Sequence, residues 1–337
     1  MSPPEAGPER TRSGASGAFY LVADERYFLG AVGLLNSLRL VGHDEPIHIL
    51  DCGFTPEQRE LLEPHANVVA APDDTPPWLL KTVAPLAHPA KVMVLIDADM
   101  VVTRALTELV EQAAAGAFIA GINESDRFVP EWGELLGLGP VRRQPYVSSG
   151  LVVGDDSLGR EVLELMHDLQ DRVDFDQTFW RRNNPDYPFI YGDQDVLNAI
   201  LASERVPRVR IEFLEHRMAP TPPFGKLRVA DEATMRCEYP DGAQPFLLHS
   251  FYRKPWLVRM RSSAYSRLLT RALVAPDVEL RLDPELVPLR MRTGADAAVA
   301  RLTVDTAIGI PSYLHRRLFG RPRGSKGWAD ARWDELE

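Results

Sequence analysis

The sequence predicts an α/β fold built on a mostly parallel sheet with helices on both faces. Two observations carry that prediction. From Ala18 onward, short apolar runs alternate with segments whose apolar residues recur at helical spacing, the pattern of successive β-α-β units. Acidic residues stand at the carboxyl ends of several of those runs, namely Asp24, Asp51, Asp97 and Asp99. In such sheets ligands bind beyond the carboxyl ends of the strands, so the four aspartates are expected to converge on one site.

The elements follow in order. "AFYLVA" (18–23) reads as a first strand. Phe28, Ala31, Leu34, Leu35, Leu38 and Val41 then mark a helix that closes at Gly42. "PIHILD" (46–51) is a second strand, and Thr55 caps a short helix with Pro56 at its first position. "NVVAA" (67–71) is a third strand, and "WLLKTVAPLA" (78–87) predicts a helix ended or kinked by Pro85. "KVMVLID" (91–97) is the most apolar strand, with a helix expected from Thr103 to about Ala114, then a strand at 117–122. Loops are expected around 123–147 and 180–192. Between and after them come a strand at 148–154, an amphipathic helix at about 157–172 and a helix opening at "GDQD" (192–195). "PFLLHSF" (245–251) reads as a last strand, and helical segments alternate with Pro and Gly from about 263.

At 337 residues the chain is long enough for one large domain or two smaller ones. A composition of 45% hydrophobic and 26% charged residues is that of a globular protein. Thirty-eight basic against 48 acidic residues leave a net charge of −10, which argues against general nucleic-acid binding. Two cysteines, Cys52 and Cys237, make no disulfide scaffold, and a reducing cytoplasm is the expected compartment. Residues 1–16, rich in Pro, Gly, Ser and charge, read as a disordered leader rather than a secretory signal. No apolar run approaches the roughly 20 residues of a membrane span.

Residues 91–106, "KVMVLIDADMVVTRAL", carry the sharpest chemical signal. Carboxylates are rarely buried unpaired, because desolvating their charge is costly. At a strand end, where the chain turns, Asp97 and Asp99 can approach one cation directly or through water. Carboxylate and water suit Mg²⁺ or Mn²⁺, an ion often shared with a diphosphate leaving group. The same spacing also fits the first motif of HAD-type phosphatases, with Asp97 as nucleophile. The second acid of "GDQD" comes too early for the later motif of those enzymes.

Five blocks in order favour the first of these readings: "FYLVADERYFLGAVGLLNSLRLVGHDEPIHILD", "LLKTVAPLAHPAKVMVLIDADMVV", "PYVSSGLVVGD", "YGDQDVLNAI" and "LLHSFYRKPW". Over roughly residues 18–256 the chain resembles glycosyltransferase family 8, whose members are retaining, metal-dependent enzymes of the GT-A fold using nucleotide-sugars, usually UDP-sugars. The resemblance implies a GT-A domain over 17–262, a helical C-terminal extension over 263–337, and transfer of a hexose to an acceptor hydroxyl. It implies Asp97, Asp99 and His249 as ligands of Mn²⁺ or Mg²⁺, with Ala98 between the acids and Lys254 neutralising diphosphate oxygens. Val22, Ala23, Asp24 and Tyr27 match the uridine-binding turn, and Tyr27 is expected to stack on the base. Lys81 is expected beside the metal-binding acids or the phosphates. Ser148, Ser149 and Gly150 stand where relatives contact the sugar or acceptor, often with an asparagine at the first position. Asp193 and Gln194 are expected at the donor sugar, Gln194 near the anomeric carbon, with Asp195 supporting their turn or meeting the sugar.

The departures are Arg26 in the uridine turn, Ser148 in the sugar block, and a final block one residue short and lacking its glycine, where Arg253 is expected to compensate. Two other readings stay open beside the transferase: a HAD-like phosphatase and an inactive sugar-nucleotide-binding protein. The resemblance leaves the acceptor undetermined among a glycan, a lipid-linked saccharide, a small metabolite and a protein. The irregular segments 123–147 and 213–240 are expected to shape its pocket. Residues 306–329 hold five basic residues and no acid, so the remainder carries −15. Interleaved Tyr313, Leu314, Leu318, Phe319 and Trp328 suit that tail either to peripheral contact with an anionic membrane or to docking on the domain. Oligomeric state is not readable.

Overall fold

The computed structural model of the chain describes residues 17–72 and 80–319, the side chains reaching residue 308. Residues 1–16, read as a leader, Trp78 and Leu79 of the 78–87 helix, and the aromatic and basic side chains of the tail lie outside the described residues.

In chain order the strands are β1 (Gly17–Ala23), β2 (Ile47–Asp51), β3 (Asn67–Ala70), β4 (Val92–Ile96), β5 (Met100–Val102), β6 (Phe118–Ile122), β7 (Val147–Asp155), β8 (Ile211–Leu214), β9 (Arg228–Asp231), β10 (Arg236–Glu238) and β11 (Leu247–His249). The helices are α1 (Phe28–Leu40), α2 (Pro56–Leu62), α3 (Val83–Ala87), α4 (Thr107–Ala114), α5 (Trp132–Leu136), α6 (Leu158–Gln170), α7 (Asp193–Ala202), α8 (Ala264–Val274) and α9 (Ala295–Phe319). Seven strands make the central sheet in the order β3-β2-β1-β4-β7-β6-β8. Four of its pairings are parallel, and β7 runs antiparallel to both β4 and β6. The fold is thus α/β with a mostly parallel sheet, as the alternation predicts.

Alternate residues of the strands feed two cores, as a pleated strand requires. Phe19, Leu21, Val92 and Val94 pack with α1, α4 and α8 on one face. Ala18, Tyr20, Met93 and Leu95 pack with α6, α7 and Trp132 on the other. Every residue of α1 from Phe28 to Leu38 is buried, although a helix on a sheet normally shows one face to water. The cover is α8. Asn36 Nδ2 donates to Ala272 O (2.8 Å) and Leu280 O (2.9 Å), and its Oδ1 accepts from Leu280 N at 2.9 Å.

Three predicted elements need correction. The helix expected over 78–87 shrinks to α3, whose third residue is Pro85, because a proline needs no N–H partner only in the first turn. The helix expected from Thr103 begins at Thr107: residues 100–102 instead form β5, and Thr103 N donates to Phe246 O at 2.8 Å. The strand read over 245–251 is the shorter β11, and its partner is β5, outside the central sheet.

Candidate functional site

β4 ends at Ile96, so Asp97, Ala98 and Asp99 occupy the turn at the carboxyl edge of the sheet, closed by Met100 N donating to Asp97 O at 3.0 Å. Because β7 is antiparallel to β4, its first residues reach the same edge: Ile96 pairs with Leu151, and Asp97 N donates to Gly150 O at 3.0 Å. That reversal brings Ser148 and Ser149 beside the aspartates. β11 then pairs His249 with Met100, and Ser250 N donates to Asp99 O at 3.0 Å. A short ribbon, far apart in sequence, thereby delivers the histidine to the acids.

His249 Nε2 lies 3.1 Å from Asp99 Oδ1 and 3.8 Å from Asp97 Oδ2. One ligand atom from each of the three residues lies within 4.8 Å of the others. Asp99 Oδ1 is buried and makes no hydrogen bond of good geometry. A Cβ on Gly150 would sit 2.6 Å from Met100 Cε, 2.9 Å from Asp97 Oδ2 and 3.0 Å from His249 Cε1, so a side chain there would crowd the donors. Two carboxylates and an imidazole are a donor set for a divalent ion such as Mn²⁺ or Mg²⁺, and these residues fit one.

Two lysines are built into the cluster. Lys81 Nζ reaches Asp97 Oδ1 at 2.9 Å, Asp193 Oδ2 at 3.1 Å and Ser149 Oγ at 3.1 Å. Burial opposes its charge, but Asp193 and Asp97 outweigh that and raise its pKa above the ordinary lysine value. Lys254, also buried, pairs with Asp99 and donates to Ser250 O (2.6 Å) and Phe251 O (2.8 Å). Burial alone would raise the pKa of Asp99, yet Lys254 and His249 hold it well below the usual carboxylate range.

The first turn of α7 supplies Asp193, Gln194 and Asp195. Asn198, one turn on, clamps it to β7, accepting from Val147 N and donating to Val147 O, both at 2.8 Å. Gln194 Nε2 donates to the Tyr146 hydroxyl at 2.9 Å, which donates to Asp195 Oδ1 at 2.7 Å. Arg127 Nε donates to the same oxygen at 2.9 Å and Tyr191 N to Asp195 Oδ2 at 2.9 Å. Asp195 is fully buried; burial raises its pKa, and Arg127 counters only part of that. Burial and the charge of Asp97 likewise raise Asp193, against the pull of Lys81.

These groups face a cavity of about 730 Å³. It is lined by Val22, Ala23, Asp24, Tyr27, Lys81, Asp97, Ala98, Asp99, Ser148, Ser149, Asp193, Gln194, His249 and Lys254, all read from sequence as site candidates. Gly150 and Asp195 stand behind that lining. Asp51, expected at the same site, is not part of the lining: its Oδ1 accepts from Gly53 N (2.8 Å) and Phe54 N (2.7 Å), and Oδ2 pairs with Arg59. Asp24 caps the turn at 25–27 by accepting from Tyr27 N at 3.0 Å. Tyr27 packs edge-on against Trp256 at 6.2 Å and carries Lys254 Nζ 5.5 Å from its ring centroid.

Sequence reasoning missed Phe179, Trp180, Tyr191, Phe251 and Tyr252, which also line the cavity. Of the two irregular segments expected to shape an acceptor pocket, only Asn123 and Thr221 belong to the lining. The five aromatics come from two distant loops with no periodicity to betray them. Tyr146 and Arg127 were missed for the same reason.

No family model matches the chain, and no curated protein matches it. Solved structures do. The galactosyltransferase LgtC, crystallised with donor and acceptor sugar analogues, is 14% identical and covers 77% of this chain and 98% of its own, with a TM-score of 0.50. An active-site mutant of LgtC is 13% identical over the same shares, also with a TM-score of 0.50. At such identity the likeness is one of architecture, and this chain has the GT-A fold of those galactosyltransferase structures.

Proposed function

We propose that the protein is a retaining glycosyltransferase of the family 8 kind, moving a hexose from a nucleotide diphosphate sugar, a UDP-sugar by its first block, to an acceptor hydroxyl. The observation that carries this reading is the meeting of Asp97, Asp99 and His249 on one cavity wall with Lys81 and the first turn of α7. A divalent ion held by those three residues would neutralise the diphosphate and stabilise it as a leaving group.

The chain's own groups account for the rest. Val22, Ala23, Asp24 and Tyr27 form the recess for the nucleoside, with the Tyr27 ring available to the base. Lys254 holds Asp99 as an anion and, from the same cavity wall, would neutralise diphosphate oxygens. Lys81 ties Asp97 to Asp193 and so sets the distance between the diphosphate end and the sugar end. Asp193 receives donor-sugar hydroxyls, and Gln194 lies beside them. In the transfer the C1–O bond to phosphate breaks and a C1–O bond to the acceptor forms on the same face. The hydroxyl proton passes to the departing diphosphate oxygen. The neutral amide of Gln194 is too weak a nucleophile for double displacement, which favours this front-face route.

The test is release of nucleoside diphosphate from a panel of nucleotide-sugars with Mn²⁺. Asp99→Ala is expected to lower it at least 100-fold while the circular dichroism spectrum is kept. Full turnover by that variant sinks the assignment. Hydrolysis of a generic phosphomonoester would favour the phosphatase reading, and thermal stabilisation by nucleotide-sugar without turnover the binding-protein reading.

A further inference from the structure

We propose that the stacked imidazoles of His48 and His88 form an acid-sensitive latch on the segment that holds Lys81 in the site. The latch stands on contacts remote from the ion-binding acids, and only its consequence for donor binding rests on the glycosyl-transfer reading above.

Lys81 lies near the start of residues 80–88, which lead through α3 toward β4. Leu80, Thr82 and Ala84 are buried, and Thr82 Oγ1 meets His167 Nδ1 of α6 at 3.0 Å. Rings hold the other end. Tyr20 of β1, His48 of β2 and His88 stack in one column, with centroids 5.0 Å and 5.2 Å apart and interplanar angles of 10° and 15°. The Tyr20 hydroxyl donates to His88 O at 2.6 Å, and Asn67 Nδ2 lies 2.9 Å from His48 Nδ1. Between the two anchors, Val83 N, Leu86 N and His88 N donate to Leu80 O (3.1 Å), Thr82 O (3.2 Å) and Ala84 O (2.9 Å).

Three of the eight histidines in the chain thus fasten one short segment, and histidine is the side chain whose charge changes near neutral pH. The two anchors answer acid differently. A threonine hydroxyl donates to a neutral imidazole and accepts from a protonated one, so the Thr82–His167 contact survives protonation. In the column, one proton leaves a cation over neutral rings, which stacking tolerates. A second sets two like charges face to face. The groups around the column do not offset them. Asp156 and Arg160 face its Tyr20 end but pair with each other, Asn67 is neutral, and Lys91, three residues after His88, adds only positive charge.

Partial burial, and after it the charge of His88, lower the His48 pKa from its ordinary value. The folded chain therefore binds fewer protons here than the unfolded one, so the latch is intact above about pH 6.5 and weakens as pH falls below it. Once the column opens, Lys81 no longer spans Asp97 and Asp193, and those two charges meet the donor diphosphate unshielded.

The experiment uses the full chain at pH 7.5 and pH 5.5. Hydrogen exchange, corrected for its intrinsic pH dependence, reads the amides of Val83, Leu86 and His88. Their protection is expected to drop about tenfold at the lower pH while the amides of β4 hold within about twofold. His48→Phe and His88→Phe each keep a ring in the column that cannot take a proton, and in either variant the drop is expected to shrink below about threefold. A drop of equal size in both variants, or one not confined to residues 80–88, overturns the proposal. Calorimetric titration with UDP and Mn²⁺ reads the link to Lys81: between the two pH values, wild-type affinity should fall about fivefold more than that of His48→Phe. Equal losses overturn that link. If UDP does not bind at pH 7.5, the proposed function is contradicted, and hydrogen exchange alone decides the latch.

Discussion

Gln194 shows how one amide is aimed. Its NH₂ group donates to Tyr146, whose hydroxyl donates to Asp195, so the carbonyl oxygen is left toward Ser149 N at 3.4 Å. The charge at the end of this chain is buried and anchored by Arg127. Tyr146→Phe removes the middle link without opening a cavity. It is expected to lower kcat about tenfold with little change in donor KM, because the amide can rotate while the binding groups stay. Arg127→Met strands a buried carboxylate and is expected to cost about 3 kcal/mol of stability in urea unfolding. The sign of the pH effect follows from Asp195. Its folded-state pKa is raised, so in Arg127→Met the lost stability should be partly regained as pH falls toward 4 and the carboxyl protonates.

Among the elements, α1 and the β5–β11 ribbon hold the site in place. Gly30 of α1 packs so closely on the Asp97–Asp99 turn that a Cβ would lie 2.4 Å from Ala98 O and 2.8 Å from the Trp256 ring. Both neighbours are held, Trp256 by its Nε1 donating to Arg26 O at 2.7 Å. Gly30→Ala is expected to destabilise the fold by about 2 kcal/mol and to weaken Mn²⁺ binding, measured by calorimetry, at least tenfold. At the opposite face of α1, Asn36→Leu would orphan Ala272 O and both main-chain groups of Leu280, at an expected cost of about 3 kcal/mol. Site chemistry should be unaffected at temperatures where that variant is folded. The contrast separates a residue that shapes the site from one that only holds α8.

For the molecule as a whole, buried ionisable groups set the alkaline limit. Burial, reinforced by Asp51 and Asp24, pushes the Cys52 thiol up to about 12, and burial pushes Cys237 up to about 11. Tyr20 rises to about 12 by burial and by the nearby Asp156. In each case the unfolded chain loses its proton first, so stability falls as pH climbs from about 8.5 toward these values. The melting temperature is expected to drop steadily between pH 8.5 and 10.5, and less steeply in Cys52→Ser with Cys237→Ala. Thiol reagents at pH 7.5 should modify the native protein far more slowly than the unfolded one. Among the described residues no helix is long and apolar enough to cross a membrane.

The order of elements, the aspartates at strand ends and the acids opening α7 were legible along the chain because they depend on local periodicity and on spacing of a few residues. The grouping of Asp97, Asp99 and His249 was expected from the blocks that hold them, although no spacing joins Asp99 to His249. That junction is a tertiary event: β11 turns away from the central sheet to pair with β5 and carries His249 to the acids. Antiparallel β7 likewise decides that Ser148 and Ser149 lie at the sheet edge that holds Asp97, a direction no strand reveals from its own residues. Asp51 shows the converse. It shares its neighbours' position at a strand end, but nearby amides and Arg59 capture it. The aromatic wall and the Tyr146–Asp195 relay were invisible because their members meet only across loops, and contact between distant residues leaves no period in one sequence.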